Sequence, residues 1–317
     1  SPAGTLLRFV NAIAEALEEE FPQVIFDTLA YQYTRPVPHL TKPRHNVCVR
    51  LCSIECCFSH PFETCDDERG VTLPDGTRSS FIRDLKQWGE YHDRLYIWDY
   101  TTCFAHYPAP FPNWRTLQPN MQLFIRNHAK GVYEQANGAK KGGVDFNEMR
   151  AYIIAKLLWD ANCDVRKHIE EFSDYYYGAA GVYVRQYIDA LCDKAERENI
   201  HVGYNDSTDT PLYSKQMLAL LDSILDEAEK AVQGDALRMW RIGKARLDVR
   251  AIFKAVTNGS SEFMTNVSMS VVGMLYNIQL LEYAGENGVA AYGVMMYVSM
   301  IFAAMFIGYS IGVAPVI

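Results

Sequence analysis

The distribution of charge constrains this chain more than any other feature. From Asn258 to Ile317 only Glu262, Glu282 and Glu286 are charged, Lys and Arg are absent, and no charge follows Glu286. An uncharged stretch of that length is enough to cross a bilayer, for which about 20 apolar residues suffice. Removing those acids from the 30 basic and 38 acidic residues of the whole leaves 30 and 35 for residues 1–257, an ordinary water-facing composition. Two different materials are therefore joined end to end. The length of 317 residues accommodates about two domains. A net charge of −8 without a concentrated basic face argues against nucleic acid as a partner.

Within the charged portion the apolar spacing alternates between two periods. Leu6, Phe9, Val10, Ile13 and Leu17 recur at helical spacing, and Pro22 closes that helix before Val24-Ile25-Phe26. Strand-like runs are expected at Val24–Gln32, Asn46–Glu55, Arg94–Thr102 and Gly131–Gln135, and helices at Ser80–His92, Pro119–His128 and Phe146–Trp159. Strands and helices in regular succession imply a parallel sheet with crossover helices. The expected fold class is thus α/β: the C-terminal half of a (β/α)8 barrel, then a helical domain, then a two-helix membrane-type tail. The open doubly wound alternative is weakened because no Gly-x-Gly-x-x-Gly follows any strand. No cofactor is implied.

Past Trp159 only helical spacing remains, in Val165, Ile169 and Phe172, then Val184, Tyr187 and Leu191, then Met217 to Leu225, then Leu237, Trp240 and Ala245. The loop Gly203–Pro211 separates two of these helices. The expected domains are residues 1–160, a partial barrel, 161–254, helical, and 255–317, with apolar spans at Phe263–Leu281 and Val289–Ile317.

In a (β/α)8 enzyme the reacting groups project from the carboxyl ends of the strands. Those ends are Tyr31-Gln32-Tyr33, Glu55-Cys56-Cys57, Trp98-Asp99-Tyr100 and Glu134-Gln135. A sugar site needs this mixture, since rings stack on aromatic faces and a carboxyl pair flanks the scissile bond. Glu55, Asp99 and Glu134 are the candidate catalytic carboxylates. Tyr31, Gln32, Trp98, Tyr100, His106 and Gln135 are candidates for binding substrate. The plainer alternatives are that a carboxylate caps a helix or pairs with Arg50 or Arg83, and that the aromatics pack a core.

Cysteines form a second constellation. Cys48, Cys52 and Cys56 share strand parity and one face if the strand extends that far, and Cys57, His60 and Cys65 add soft ligands within nine positions. Without a paired Cys-x-x-Cys, small apolar packing is the default and no metal is expected, although a Cys57 nucleophile assisted by His60 also fits.

The motifs Asp27 to Tyr33, Arg50-Leu51-Cys52-Ser53-Ile54-Glu55-Cys56-Cys57-Phe58-Ser59-His60-Pro61, Leu95 to Tyr100 and Gly131 to Gln135 resemble the bacterial domain-of-unknown-function family 4838. The likeness covers about residues 1–250. It implies a glycoside-hydrolase-like protein of the (β/α)8 type, related in layout to hexosaminidases and glucuronidases, in which Ser1 falls in mid-barrel. The general acid of the hexosaminidase-like relatives comes from the fourth strand, which would precede Ser1. Separately, Asn258 to Asn277 and Gly288 to Gly312 are similar to multidrug and toxic-compound extrusion (MATE) transporters at the opening of their second six-helix half. That likeness implies exchange of organic cations for Na⁺ or H⁺, with Glu262 the acid at a span's edge. The join near Arg250–Ala255 fuses two incomplete modules.

Three functions follow as expectations. The first is a carbohydrate-active, glycoside-hydrolase-like protein acting on a carbohydrate substrate. The second is a fragment of a cation antiporter behind an unrelated soluble segment, and the third a non-catalytic carbohydrate-binding scaffold. No leader is read at Ser1, so residues 1–254 are expected in the cytoplasm, with residues 258–317 in a membrane if the tail inserts. Open sheet edges would favour self-association.

Overall fold

In the computed structural model, which describes residues 1–73, 75–136, 145–246 and 249, Ser1 caps helix α1 (Pro2–Ala16) by accepting a hydrogen bond from Gly4 N at 3.3 Å. Pro2 suits the first helical turn, where its missing N–H has no partner to lose. Buried Leu7 and Ala14 turn one side of α1 to the core. The chain then enters β1 (Phe26–Ala30) and β2 (Val47–Cys52). A short antiparallel ribbon, β3 (Val71–Thr72) and β4 (Arg78–Ser79), precedes α2 (Phe81–Tyr91). Ser80 and His92, read as the ends of this helix, are its N-cap and C-cap residues.

Next come β5 (Leu95–Tyr100), α3 (Leu117–Arg126), β6 (Ala129–Gln135) and α4 (Asn147–Trp159). The four long strands form one sheet in the order β1-β2-β5-β6, every pair parallel. Each strand thus lies beside the next long strand in sequence, with no reversal of direction across the sheet. Among the described residues the sheet is open, with β1 and β6 at its edges. Helices α5 (Val165–Tyr177), α6 (Gly181–Arg197) and α7 (Lys215–Ala231) follow, then a helical stretch over residues 236–246. Asp164 and Ser214 cap α5 and α7 through Lys167 N at 3.0 Å and Met217 N at 3.3 Å.

The pleat sorts the strand residues into two faces. Val49, Leu51, Leu95 and Ile97, all at most 1% exposed, lie on the covered face. Leu29, Arg50, Tyr96, Trp98 and Tyr133 lie on the other, where Leu29 and Tyr133 are exposed. One buried apolar cluster includes side chains of the sheet, α2, α4, α6 and α7, and all described residues belong to one compact unit, Ser1–Val256.

Cys48 and Cys52 are buried in β2, but the strand ends at Cys52. Cys56 falls in the following loop, so the three cysteines do not share a strand face. Among the described residues no helix is long and apolar enough to cross a membrane. The tail, residues 255–317 with both apolar spans, lies outside the described residues.

Candidate functional site

Glu55, Asp99 and Glu134 all fall at the carboxyl end of the sheet. Asp99 and Glu134 are register partners on β5 and β6. Adjacent strands lie roughly 4.8 Å apart, so two side chains in register on one face stand beside each other. Asp99 is buried and its Oδ1 accepts a hydrogen bond from Ser53 Oγ. Burial pushes its carboxyl up to about 7, against the opposing effects of Ser53 and of the Tyr100 N–H. Glu134 lies well above the usual carboxylate range, first because of burial and then because of the neighbouring Asp99 charge. Its Oε2 is buried without a hydrogen-bond partner among the described residues. Burial thus disfavours the charged form of both groups.

The same pleat sends Trp98 and Gln135 to the opposite face, where Trp98 Nε1 donates to Gln135 Oε1 at 2.6 Å and the Trp98 and Tyr133 rings meet edge to face at 5.1 Å. The residues expected around one mouth are therefore divided: Asp99 and Glu134 on the helix-covered face, Trp98 and Gln135 on the other. His106 is half-buried in the loop after β5 and is not a lining residue of the cleft described next.

Glu55, three positions beyond the end of β2, is held by a buried cation. Arg35, fully buried, forms ion pairs with Glu55 and with Asp84, the latter at 2.7 Å. Its guanidinium also donates to Cys52 O at 3.4 Å and Ser79 O at 3.3 Å, and lies over the Phe81 ring. Neither Arg50 nor Arg83 is the partner expected for Glu55: Arg50 pairs with Asp27 across β1 and β2, and Arg83 donates to Arg78 O.

The Glu55 side chain retains 18% exposure and opens onto a cleft of about 270 Å³ lined also by Ile54, Arg69, Arg78, Tyr204, Asn205 and Asp206. Gly70 also lines this wall, and a Cβ there would strike Ser79 O at 2.7 Å. Arg69 bridges Asp206 at 3.0 Å and Asp67 at 2.7 Å. Tyr204 packs on Tyr100 and Phe104, with ring centroids 5.3 and 5.8 Å away. Burial pushes the Tyr100 and Tyr31 hydroxyls up, each aided by the other charges of this group. Gln32, beside Tyr31, adopts the left-handed backbone at φ 48° and donates to the Tyr31 hydroxyl at 3.4 Å. A non-glycine residue held in that region is a local strain of the kind that collects at binding sites.

Sequence reasoning missed Arg35, Arg69, Arg78, Tyr204 and Asp206. Asn205-Asp206-Ser207 shows in the sequence only a glycosylation pattern, and nothing local links it to Glu55.

Cys57, His60 and Cys65 do come together, joined by His201 from the loop after α6. Hydrogen bonding from Cys65 first, then from Ser59, His60 and His201, outweighs burial and holds the Cys57 thiol below its ordinary range. All eight cysteines are free thiols.

Residues 1–189 match the family described as Domain of unknown function (DUF4838). No curated protein and no solved structure matches the chain. The likeness of residues 255–317 to transporters accordingly finds no support among these comparisons.

Proposed function

The chain is a member of that family, and from this premise we propose that it is a carbohydrate-active, glycoside-hydrolase-like protein whose sugar site is the cleft at the carboxyl end of β2. The single observation carrying the reading is the company Glu55 keeps: an acidic side chain, 18% exposed, on a cleft lined by Tyr204, Asn205, Asp206, Arg69 and Arg78. Aromatic, amide, carboxylate and guanidinium groups around a small cleft match a ring with several hydroxyls. Strands running in sequence order across a parallel sheet support descent from a (β/α)8 barrel, in which such clefts form above the strand ends. Glu55 is the residue that meets substrate. Asp99 and Glu134 are register partners at the same end of the sheet.

A second reading, carbohydrate binding without hydrolysis, is favoured by a specific feature. Arg35 holds Glu55 Oε1 in an ion pair, which anchors the carboxylate to the protein and leaves that oxygen engaged rather than presented to a substrate. Calorimetric titration with a panel of mono- and oligosaccharides, paired with turnover of aryl glycosides, separates the two. Under the hydrolase reading Glu55→Gln lowers kcat by about 10²–10⁴-fold, the contribution of a positioned acid or base. Binding with no turnover selects the scaffold. No saccharide binding, or binding unaffected by both Glu55→Gln and Tyr204→Ala, overturns the cleft as the site.

A further inference from the structure

The four residues Cys57, His60, Cys65 and His201 do not line that cleft. One ligand atom from each lies within 4.8 Å of all the others. Cys57 Sγ is 3.4 Å from His60 Nδ1, and Cys65 Sγ is 3.6 Å from His201 Nδ1. In a tetrahedral zinc site, with Zn–S about 2.3 Å and Zn–N about 2.0–2.1 Å, the edges between ligand atoms come to roughly 3.3–3.8 Å. The Cys57–His60 and Cys65–His201 separations already fall in that range, and no ligand atom stands more than 4.8 Å from another.

One of the two imidazoles has the outer partner of a metal ligand. His201 Nε2 faces Asp66 Oδ1 at 3.3 Å, the arrangement in which a carboxylate orients a ligating imidazole through its far nitrogen. Asp67 Oδ2 flanks His201 Nδ1 at 3.7 Å. His60 Nε2 is buried with no hydrogen-bond partner among the described residues. The two rings lie 4.9 Å apart, centroid to centroid.

The backbone holds the ligands in place independently of any ion. A turn in which Thr64 N and Cys65 N both donate to Pro61 O folds Cys65 back toward Cys57. Phe58 N donates to Val202 O at 2.8 Å. Ser59 Oγ donates to Ile200 O at 2.6 Å and accepts from Val202 N at 3.2 Å, fixing the segment on both sides of His201.

We propose that Cys57, His60, Cys65 and His201 bind one zinc ion that clamps the loop after β2 to the loop after α6. Two thiolates and two imidazoles select zinc over magnesium or calcium. Four protein ligands fill the coordination sphere, so the ion is structural. The clamp ties the segment just after Glu55 to the segment just before Tyr204, Asn205 and Asp206, and so sets the width of the cleft.

The test uses the full chain purified under reducing conditions. Elemental analysis is expected to give one zinc per chain. After chelation, titrated Co²⁺ is expected to produce the intense visible bands and thiolate charge-transfer absorption of a tetrahedral site, saturating at one equivalent and bleached by Zn²⁺. Cys65→Ser lowers the thiolate charge-transfer absorption at one equivalent, since one of the two thiolates is gone. Asp66→Asn weakens zinc affinity by roughly 10–100-fold, the usual effect of losing such an orienting group. Cys163→Ser, at a free thiol elsewhere, leaves both unchanged. A cobalt spectrum without thiolate bands, retention of the full spectrum by Cys65→Ser, or a Cys57–Cys65 disulfide in the freshly reduced chain overturns the proposal. The cobalt readout is taken on the unaltered chain, so a variant that does not fold leaves it intact. Zinc binding and saccharide binding are separate measurements, and either reading can fail alone.

Discussion

The sheet and the helices that follow it handle charge in opposite ways. Beside the sheet, Arg35 and Asp84 are paired with no exposure at all, and Asp99 is only 3% exposed. Along α5 and α6 the pairs lie at the surface: Arg166 with Glu170 at 59% and 49% exposure, and Arg115 with Asp189 at 38% and 31%. The interiors of α6 and α7 are apolar, with Leu191, Leu218, Leu221 and Leu225 fully buried. Taking charge out of water is costly, and a stable core is more cheaply built from Leu. The fully buried Arg35–Asp84 pair therefore marks a place where the fold gives up stability for geometry, at the carboxyl end of the sheet.

The contrast can be broken by mutation. Arg35→Ala strands the carboxylate of Asp84, and we expect a loss of about 3–5 kcal/mol in denaturant unfolding, the effect of removing one partner from a buried pair. Arg35→Met combined with Asp84→Leu should cost much less. If Arg35→Ala costs no more than a surface substitution, the buried cation is not organising this end of the sheet.

A smaller effect is expected from Asp99. Its folded carboxyl titrates near 7 against an ordinary 3.8, so between those values the folded chain keeps a proton that the unfolded chain has released. Folding takes up that proton, and stability falls as pH rises from about 4 to about 7. Asp99→Asn should flatten this slope, as read from urea midpoints across that range. An unchanged slope would show that Asp99 ionises freely in the folded protein.

The least effect is expected on the helical side. Glu170→Gln should shift stability by roughly 0.5 kcal/mol or less, as for exposed i,i+4 pairs, and lose even that at high salt. A larger, salt-resistant loss would mean that surface pairs carry the helices after all.

The two central strands were legible because each is a largely apolar run buried by its neighbours: Val47–Cys52 and Leu95–Tyr100 sit within the stretches their Val, Ile, Leu and Tyr content marks. The ribbon Val71–Thr72 with Arg78–Ser79 was not, since two residues per strand give no periodicity to read. Positions of Glu55, Asp99 and Glu134 at one end of the sheet follow from strand alternation. Their partners do not. Which strand residue faces the helices depends on where each strand starts, and a one-position difference put Trp98 and Asp99 on opposite faces. Arg35 lies in a turn with no pattern, and it reaches Asp84 across 49 positions and Glu55 across 20. His201 completes the thiol and imidazole cluster from 136 positions beyond Cys65, a separation at which spacing carries no signal.

The bonds through Ser59 have a kinetic consequence. They join segments 141 and 143 positions apart, whereas the sheet is assembled from strands that neighbour one another in sequence. Closing so long a loop adds little thermodynamic penalty, because that penalty grows only logarithmically with length, but it slows the search. A ribosome would have the four strands in hand well before the residues from 200 to 206 emerge. The newborn protein should thus pass through a stage with its β-layer formed and its binding hollow still missing a wall.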